Sequence, residues 1–188
     1  MPRCFWCTQD PLYIDYHDHE WGVPQRDPNR LFEMLLLEGF QAGLSWLTVL
    51  RKREHYRKVL CNFDPQRLAL LTDAELQALL QDPGIIRNRL KVKAIRQNAA
   101  AWLALDDPAT LLWSFVGGQP LINHFQGREV PASTPQAEAM SRALRKAGFN
   151  FVGPTICYAF MQATGMVMDH SLDCDRHAAL ATAARGCP

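Results

Sequence analysis

The chain has 188 residues, 48% of them hydrophobic, and a formal net charge of +1 at neutral pH. This size and apolar content suit one compact domain, and the small charge means that any nucleic-acid binding needs a local basic face. The sequence has no apolar run long enough for a membrane span, and its N-terminus lacks the charged-then-apolar order of a secretory signal. We therefore expect a monomeric protein of the cytoplasm with no membrane partner.

Signals for helix starts recur along the chain. Three Asp-Pro pairs put a capping carboxylate before a proline that suits the first helical turn: Asp27-Pro28, Asp64-Pro65 and Asp107-Pro108. Thr72 and Glu75 have the spacing of a capping box. Apolar periodicity, with Gly148 and Gly165 as stops, predicts further helices over residues 88–105, 136–146 and 154–163.

Strand patterns are nearly absent. Leu121–Ile122 and residues 149–152 are too short to build a sheet, and the Gly- and Pro-containing stretch 117–133 is predicted as a loop. We predict an all-α domain of about eight short helices.

Cysteine and histidine residues gather at both ends of the chain: Cys4, Cys7, His17 and His19 near the N-terminus, and His170, Cys174, His177 and Cys187 near the C-terminus. Without an export signal, thiols favour metal ligands or buried side chains over disulfides, and mixed thiolates and imidazoles suit tetrahedral Zn²⁺. His170 and Cys174 are four residues apart, so one helical turn would place both on one face. Spacing alone does not choose among the N-terminal candidates, and unrelated surface histidines with buried thiols remain the alternative.

Two later segments indicate DNA binding. "GIIRNRLKVKAI" (84–95) is a glycine turn leading into a basic helix, and "GFNFVGPTICYAFMQATG" (148–165) is a hairpin leading into a helix N-terminus. Such a hairpin exposes backbone N–H groups, and the helix dipole adds positive potential, so it can bind a DNA phosphate. An ordinary helical hairpin would give the same pattern, but both segments resemble those of helix-hairpin-helix DNA-repair glycosylases.

The N-terminal half carries a more specific resemblance. "RCFW" (3–6), "DPLYIDYHDHEWGVP" (10–24) and "LFEMLLLEGFQAGLSWLTVLRKRE" (31–54), with the hairpin segment and the "DH" after it, are similar to the bacterial 3-methyladenine DNA glycosylase I family. The match runs in order from residue 3 to about residue 174, whereas the tail 175–188 departs from the family patterns.

The resemblance implies an all-α, helix-hairpin-helix glycosylase-like domain over residues 1–188, with a helical core over 27–164. It also implies one structural zinc ion that ties segment 1–25 to segment 165–180. The implied ligands are Cys4, His17, His170 and Cys174. Cys7 and His19 fall where the family motif needs no ligand, and His177 remains a nearby competitor.

The implied activity is hydrolysis of the N-glycosidic bond of 3-methyladenine in double-stranded alkylated DNA, which releases the free base for base excision repair. Methylation leaves the base cationic and weakens its bond to deoxyribose, so little acid catalysis is needed once the base is flipped into a pocket. The pocket motifs hold no lysine for a Schiff base, and we expect no strand cleavage. A non-catalytic, zinc-stabilised helical module that binds nucleic acid, and a zinc hydrolase, are the alternatives.

With the resemblance, aromatic side chains become the pocket for a cationic purine: Trp6, Tyr13, Tyr16 and Trp46, with Trp21 as wall or support. Glu38 is the expected catalytic carboxylate, and its side chain is expected to point into the same cavity. There it would complement the positive ring and accept hydrogen bonds from the adenine amino edge. Core packing of the rings and a surface position for Glu38 are the alternatives.

Residues that follow Glu38 are candidates for DNA contact. Gly39 and Gly43 would let the backbone approach DNA closely. Gln41 and Leu44 are candidates to fill the gap that a flipped base leaves in the duplex.

The hairpin supplies the expected phosphate contacts, at Gly153 and Thr155. Asp169 follows the hairpin helix, where related glycosylases carry a catalytic aspartate. It also adjoins the expected metal ligand His170, so its role stays open.

Overall fold

The computed structural model describes residues 2–185, so Cys187 lies outside the described residues. Eleven α-helices fill most of this range: α1 (Pro11–His19), α2 (Pro28–Gln41), α3 (Trp46–Leu50), α4 (Arg53–Val59), α5 (Pro65–Ala69), α6 (Asp73–Leu79), α7 (Arg89–Leu103), α8 (Pro108–Ser114), α9 (Pro135–Lys146), α10 (Pro154–Ala163) and α11 (Asp175–Arg185). A 3₁₀ turn at Cys61–Phe63 and two short strands, β1 (Leu121–Ile122) and β2 (Val167–Met168), complete the elements. The helical class predicted from the sequence is confirmed. Across residues 2–185, no helix is both long and apolar enough to cross a membrane.

The predicted helix signals act as expected. The side chains of Asp27, Asp64 and Asp107 each accept hydrogen bonds from backbone N–H groups of the first helical turn. Thr72 and Glu75 form the complete capping box of α6. Gly148 and Gly165 follow α9 and α10 with φ of +98° and +68°, the left-handed conformation that ends a helix.

The number of helices was predicted too low, because α1, α4 and α11 were not recognised. The start of α1 carries the same signal as the others, since Asp10 caps it by accepting from the N–H groups of Leu12 and Tyr13 and Pro11 follows. Its aliphatic, aromatic, acidic and histidine side chains are mixed without a clear apolar stripe, so periodicity did not reveal it.

The strand prediction needs one correction. Leu121 pairs with Val167 and Ile122 with Met168 in a two-stranded parallel ladder. Residues 149–152 form no strand. The ladder connects segments far apart in sequence, a pairing that local alternation does not reveal. It places Asp169 and His170 directly after β2.

Helix α2 forms the centre of the fold. Ten consecutive residues, from Leu31 to Phe40, are buried, because α3, α7, α8 and α10 pack around it. The helix continues past Glu38 to Gln41, so Glu38 lies inside a buried segment instead of at a helix end. Burial on every side explains the nearly uninterrupted apolar run of this segment.

We expect Gly165→Ala to destabilise the protein far more than Gly117→Ala. Both glycines have φ of +68°, which costs an alanine about 1–2 kcal/mol. A Cβ at position 165 would lie 2.5 Å from the Pro24 nitrogen and the Val23 carbonyl carbon, whereas nothing lies within 4 Å of one at position 117. In urea unfolding, Gly165→Ala should lower the free energy of unfolding by roughly 2 kcal/mol or more beyond the decrease caused by Gly117→Ala. Equal decreases for the two variants would contradict the steric argument.

Candidate active site and metal centre

A cavity of about 250 Å³ lies beside the C-terminal half of α2. Most of its walls come from the segment before α1, from α1 and the residues just after it, from α2 and from the start of α3. Residues 127–130, α10 and the segment after β2 complete the lining. The side chains proposed from the sequence for base binding all line it: Trp6, Tyr13, Tyr16, Trp21, Glu38 and Trp46. Gln41 lines the same cavity. The structure thus brings these seven residues together.

The aromatic rings form one continuous wall. The ring centroid of Trp6 lies 5.0 Å from that of Tyr13 and 4.9 Å from that of Trp21, and Tyr16 lies 5.5 Å from Trp46. One turn of α1 separates Tyr13 from Tyr16, so their rings stack with an interplanar angle of 25°. Burial raises the pKa of Tyr13 to about 12 and that of Tyr16 well above 10, so both phenols keep their protons at neutral pH.

Glu38 is a buried acid with an unused oxygen. Only 3% of the residue is exposed, and its Oε2 has no hydrogen-bond partner. Burial raises the pKa of the carboxyl to about 8, so the group is mostly neutral at pH 7. An unsatisfied polar atom in the interior costs free energy, which a ligand with a positive charge or an N–H donor would offset.

A second polar group in the cavity also lacks a partner. The indole N–H of Trp46 is buried and donates no hydrogen bond. The cavity therefore presents an unused acceptor on Glu38 and an unused donor on Trp46 among flat aromatic faces. This combination suits a planar heterocycle with its own donors and acceptors.

Asp169 also lines the cavity, but its carboxylate is fully engaged. Oδ1 accepts a hydrogen bond from Asn123 Nδ2 at 2.7 Å, and Oδ2 accepts from the Tyr158 hydroxyl at 2.5 Å and from Gln162 Nε2 at 2.8 Å. These contacts join α10 to the loop after β1. Gln162 and Asn123 were not identified from the sequence, because only the fold brings them to Asp169.

The turn from Gln41 to Leu44 joins α2 to α3 and lies at the edge of the cavity. The Leu44 N–H donates to the Gln41 carbonyl at 2.7 Å, Ala42 has φ −45° and ψ 114°, and Gly43 has φ +82°. These values describe a type II turn, which requires glycine at its third position. Leu44 is 43% exposed, so the turn presents an apolar side chain to solvent.

The hairpin between α9 and α10 packs against α2 at Gly39. Gly153 caps α10 without a side chain, and Thr155 is exposed in the first turn, so backbone N–H groups face outward there. Gly39, for which a close approach to DNA was predicted, lies inside the buried segment of α2. It is buried, and a Cβ on it would lie 3.3 Å from that of Phe151, so its small size lets the hairpin pack on α2.

Two cysteines and two histidines from the two ends of the chain meet at a buried point. The candidate ligand atoms of Cys4, His17, His170 and Cys174 all lie within 4.8 Å of one another. Cys174 Sγ lies 3.4 Å from His170 Nδ1 and 3.5 Å from His17 Nε2, and Cys4 Sγ lies 3.4 Å from His170 Nδ1. This arrangement can hold a metal ion.

The other ring nitrogens of the two histidines are fixed by hydrogen bonds. His17 Nδ1 lies 2.7 Å from an oxygen of Asp18, which Arg3 also contacts. His170 Nε2 lies 3.0 Å from the Trp21 carbonyl. Carboxylate or carbonyl acceptors at this position are typical of metal-binding histidines, because they fix the tautomer and the ring orientation.

The remaining candidates lie outside the cluster. Cys7 contacts two backbone carbonyls, His19 pairs with Asp15 at the surface, and His177 Nε2 lies 3.1 Å from the Asn123 carbonyl.

The predicted helical turn from His170 to Cys174 is wrong. These residues form a loop turn in which the Cys174 N–H donates to the Ser171 carbonyl, and α11 begins only at Asp175. The segment after β2 and the turn from Ser171 to Cys174 still bring both side chains to the cluster.

The cluster supports the cavity wall directly. The Trp21 ring meets the His170 ring edge to face at 4.6 Å, and Trp6 lies 5.2 Å from His17. Cys4 and Ser171 also line the cavity. Displacement of the histidines would therefore disturb the aromatic wall.

We expect the Glu38 carboxyl to make stability depend on pH. Its pKa rises from 4.5 to about 8 on folding, so between these values the folded state binds more protons, and the free energy of unfolding decreases as pH rises. Glu38→Gln should remove this part of the dependence and be the more stable form at pH 8. Urea unfolding at several pH values tests this, with Glu54→Gln, whose side chain is 82% exposed, as the control. If the free energy of unfolding changed with pH in the same way for wild type and Glu38→Gln, burial would not perturb the pKa of Glu38.

Comparisons with known proteins agree with this geometry. The family described as methyladenine glycosylase matches residues 6–177. DNA-3-methyladenine glycosylase 1 of Escherichia coli (strain K12) is 51% identical over 179 residues, which cover 93% of this chain and 96% of that protein.

Solved structures resemble the whole fold. A crystal structure of 3-methyladenine DNA glycosylase I has a TM-score of 0.92 at 54% identity and covers 94% of this chain and 100% of its own. A variant of 3-methyladenine DNA glycosylase I in complex with 3-methyladenine has a TM-score of 0.89 at 35% identity, with coverage of 93% and 97%. The chain belongs to the methyladenine glycosylase family.

Proposed function

We propose that this protein is a DNA glycosylase that hydrolyses the N-glycosidic bond of 3-methyladenine in double-stranded alkylated DNA and releases the free base. The observation that carries the proposal is the buried, unpartnered carboxyl of Glu38 in a cavity walled by aromatic rings. The similar proteins are named for this activity, and one of them is described in complex with 3-methyladenine.

The cavity is suited to a cationic purine. Each aromatic face over which the positive ring lies contributes on the order of 0.5–2 kcal/mol. A cation beside Glu38 lowers the pKa of that carboxyl and favours its ionised form, so binding would create an ion pair in a low-dielectric site. Unmethylated adenine carries no such charge, and it leaves the carboxyl neutral or unpaired. Glu38 would therefore select the damaged base.

The chemistry needs few catalytic groups. The bond between C1′ and the base nitrogen breaks, the electron pair leaves with the base and neutralises its charge, and water supplies hydroxide to C1′ while a proton is released. Retention of the departing base by Glu38 and the rings favours this step. No lysine is among the cavity-lining residues of the described chain, which supports a monofunctional enzyme without a Schiff base.

DNA would bind across the mouth of the cavity. We propose that Gln41 and Leu44 enter the gap left by the flipped base, since Leu44 is exposed on the turn beside the cavity. Gly43 permits this turn. The N–H groups at Gly153 and Thr155 would bind a phosphate at the positive end of α10.

We propose one structural zinc ion at Cys4, His17, His170 and Cys174. With Zn–S and Zn–N bonds of about 2.3 and 2.0 Å, a tetrahedral site separates sulfur from nitrogen by roughly 3.5 Å, as observed between these ligands. Four protein ligands leave no position for a reacting water. The ion would tie segment 1–25 to segment 165–180 around the helical core 27–164 of a single domain.

A single copy of the chain contains every residue of the proposed site, so we propose that the monomer is active. We also propose that the protein acts in the cytoplasm.

We expect Glu38→Gln to retain the fold but to lower excision. Loss of a charged hydrogen bond of about 1.5–3 kcal/mol corresponds to a decrease in kcat/KM of roughly ten- to a hundredfold. Release of 3-methyladenine from methylated duplex DNA, separated by chromatography, gives the rate, with exposed Glu54→Gln as the control. An unchanged rate would remove Glu38 from the mechanism. A wild-type chain with full metal content that binds DNA but releases no base would instead support a non-catalytic module.

We expect Cys4→Ser to lower both metal content and thermal stability, because serine is a poor ligand for zinc. Cys7→Ser is the matched control, since Cys7 lies outside the cluster and contacts only carbonyls. Elemental analysis and thermal unfolding measure the two effects. Full zinc occupancy in Cys4→Ser would contradict the assignment. A folded, zinc-free chain that has lost only its activity would indicate a catalytic metal instead.

A further inference from the structure

Lys91 is a buried cation at the C-terminal end of α2. Only 8% of the residue is exposed, and its Nζ donates hydrogen bonds to the Phe40 carbonyl at 2.8 Å and to the Ala42 carbonyl at 2.6 Å. Lysine is rarely buried, and burial lowers the pKa of this ammonium, which shows that its position is unfavourable in itself. The two carbonyl contacts offset that cost.

The position of Lys91 in its own helix does not explain it. Lys91 lies in the first turn of α7, where the helix dipole disfavours a positive charge. Its ammonium instead meets the negative end of α2, whose last carbonyls need donors. One acceptor, Phe40, belongs to α2 and the other, Ala42, to the turn that follows. Lys91 therefore fixes the direction in which the turn leaves the helix.

The same helix also holds the hairpin. Asn98 Nδ2 donates to the Asn150 carbonyl at 3.0 Å, and the Asn150 N–H donates to Asn98 Oδ1 at 2.8 Å. Lys91 and Asn98 are seven residues apart, which places them on one face of α7 and about 10 Å apart along its axis. A single rigid helix thus connects the turn at 41–44 to the hairpin at 148–153.

We infer that Lys91 is a positioning residue for DNA: it holds the turn Gln41–Leu44 at a fixed place relative to the hairpin, so that both can contact one duplex around a flipped base. This inference rests on the proposed function. In this role Lys91 would touch neither the base nor the DNA and would act through Leu44. Binding of the free base should depend on this alignment much less than binding of the duplex, because Gln41 is the only residue of the turn that lines the cavity.

The test compares Lys91→Met, which keeps the length and apolar stem of the side chain, with Leu44→Ala and the double variant. Lys58→Met, in which an exposed lysine of α4 is replaced, is the matched control for charge. Three quantities are measured: kcat/KM for base release from methylated duplex DNA, affinity for a duplex with a tetrahydrofuran abasic site, and affinity for free 3-methyladenine.

We expect Lys91→Met to lower kcat/KM on the duplex by roughly ten- to a hundredfold and to weaken binding to the abasic duplex. Its affinity for free 3-methyladenine should change by less than about twofold. In the Leu44→Ala background, Lys91→Met should change kcat/KM by no more than about twofold, because both substitutions disturb the same contact.

Three results would overturn the inference. The first is an unchanged kcat/KM in Lys91→Met. The second is a decrease in kcat/KM on adding Lys91→Met to Leu44→Ala that is as large as the decrease it causes in the wild-type protein. The third is a parallel loss of free-base affinity and melting temperature, which would make Lys91 a purely structural cap. Failure of the proposed function looks different, because the wild-type chain itself would then release no base.

Discussion

The contact between the two ends of the chain supports the rest of the site. Cys4 and His17 come from the first segment and His170 and Cys174 from the last, and their ligand atoms share one buried point. Chain ends have little packing of their own, so without this contact the segment that carries Trp6 would tend to separate from the core. The rings of His17 and His170 also form the surface on which Trp6 and Trp21 rest.

The cavity is an example of stability given up for recognition. An apolar residue in place of Glu38 would avoid the cost of a buried carboxyl, and a partner for the Trp46 N–H would avoid another. Both groups remain unpaired, whereas Asp169 in the same cavity accepts three hydrogen bonds. The Glu38 carboxyl therefore keeps an oxygen free for a further hydrogen bond, whereas both oxygens of Asp169 already have partners within the protein.

Much of the fold could be predicted from local signals, because helix caps and glycine stops act over a few residues. The capping aspartates, the box at Thr72 and the ends of α9 and α10 all followed from neighbouring sequence. Elements that depend on distant partners could not be predicted in this way. The pairing of β1 with β2 and the engagement of Asp169 need segments far apart in the chain, and no local pattern encodes them.

In the candidate site, too, some features could be predicted from the sequence and others depend on the fold. Residue types indicated the chemistry of the pocket and the metal cluster, but spacing alone could not choose Cys4 over Cys7. That choice came from the family resemblance. The buried position of Glu38 could not be read from its charge, since most glutamates are exposed. The packing of four helices around α2 decides it.

The short segment after β2 joins the two centres within one peptide unit. Asp169 lines the cavity, whereas its neighbour His170 belongs to the cluster of cysteines and histidines. A shift of this backbone cannot move one side chain and leave the other in place. The positions of the side chains in this cluster and the shape of the cavity floor are therefore mechanically linked.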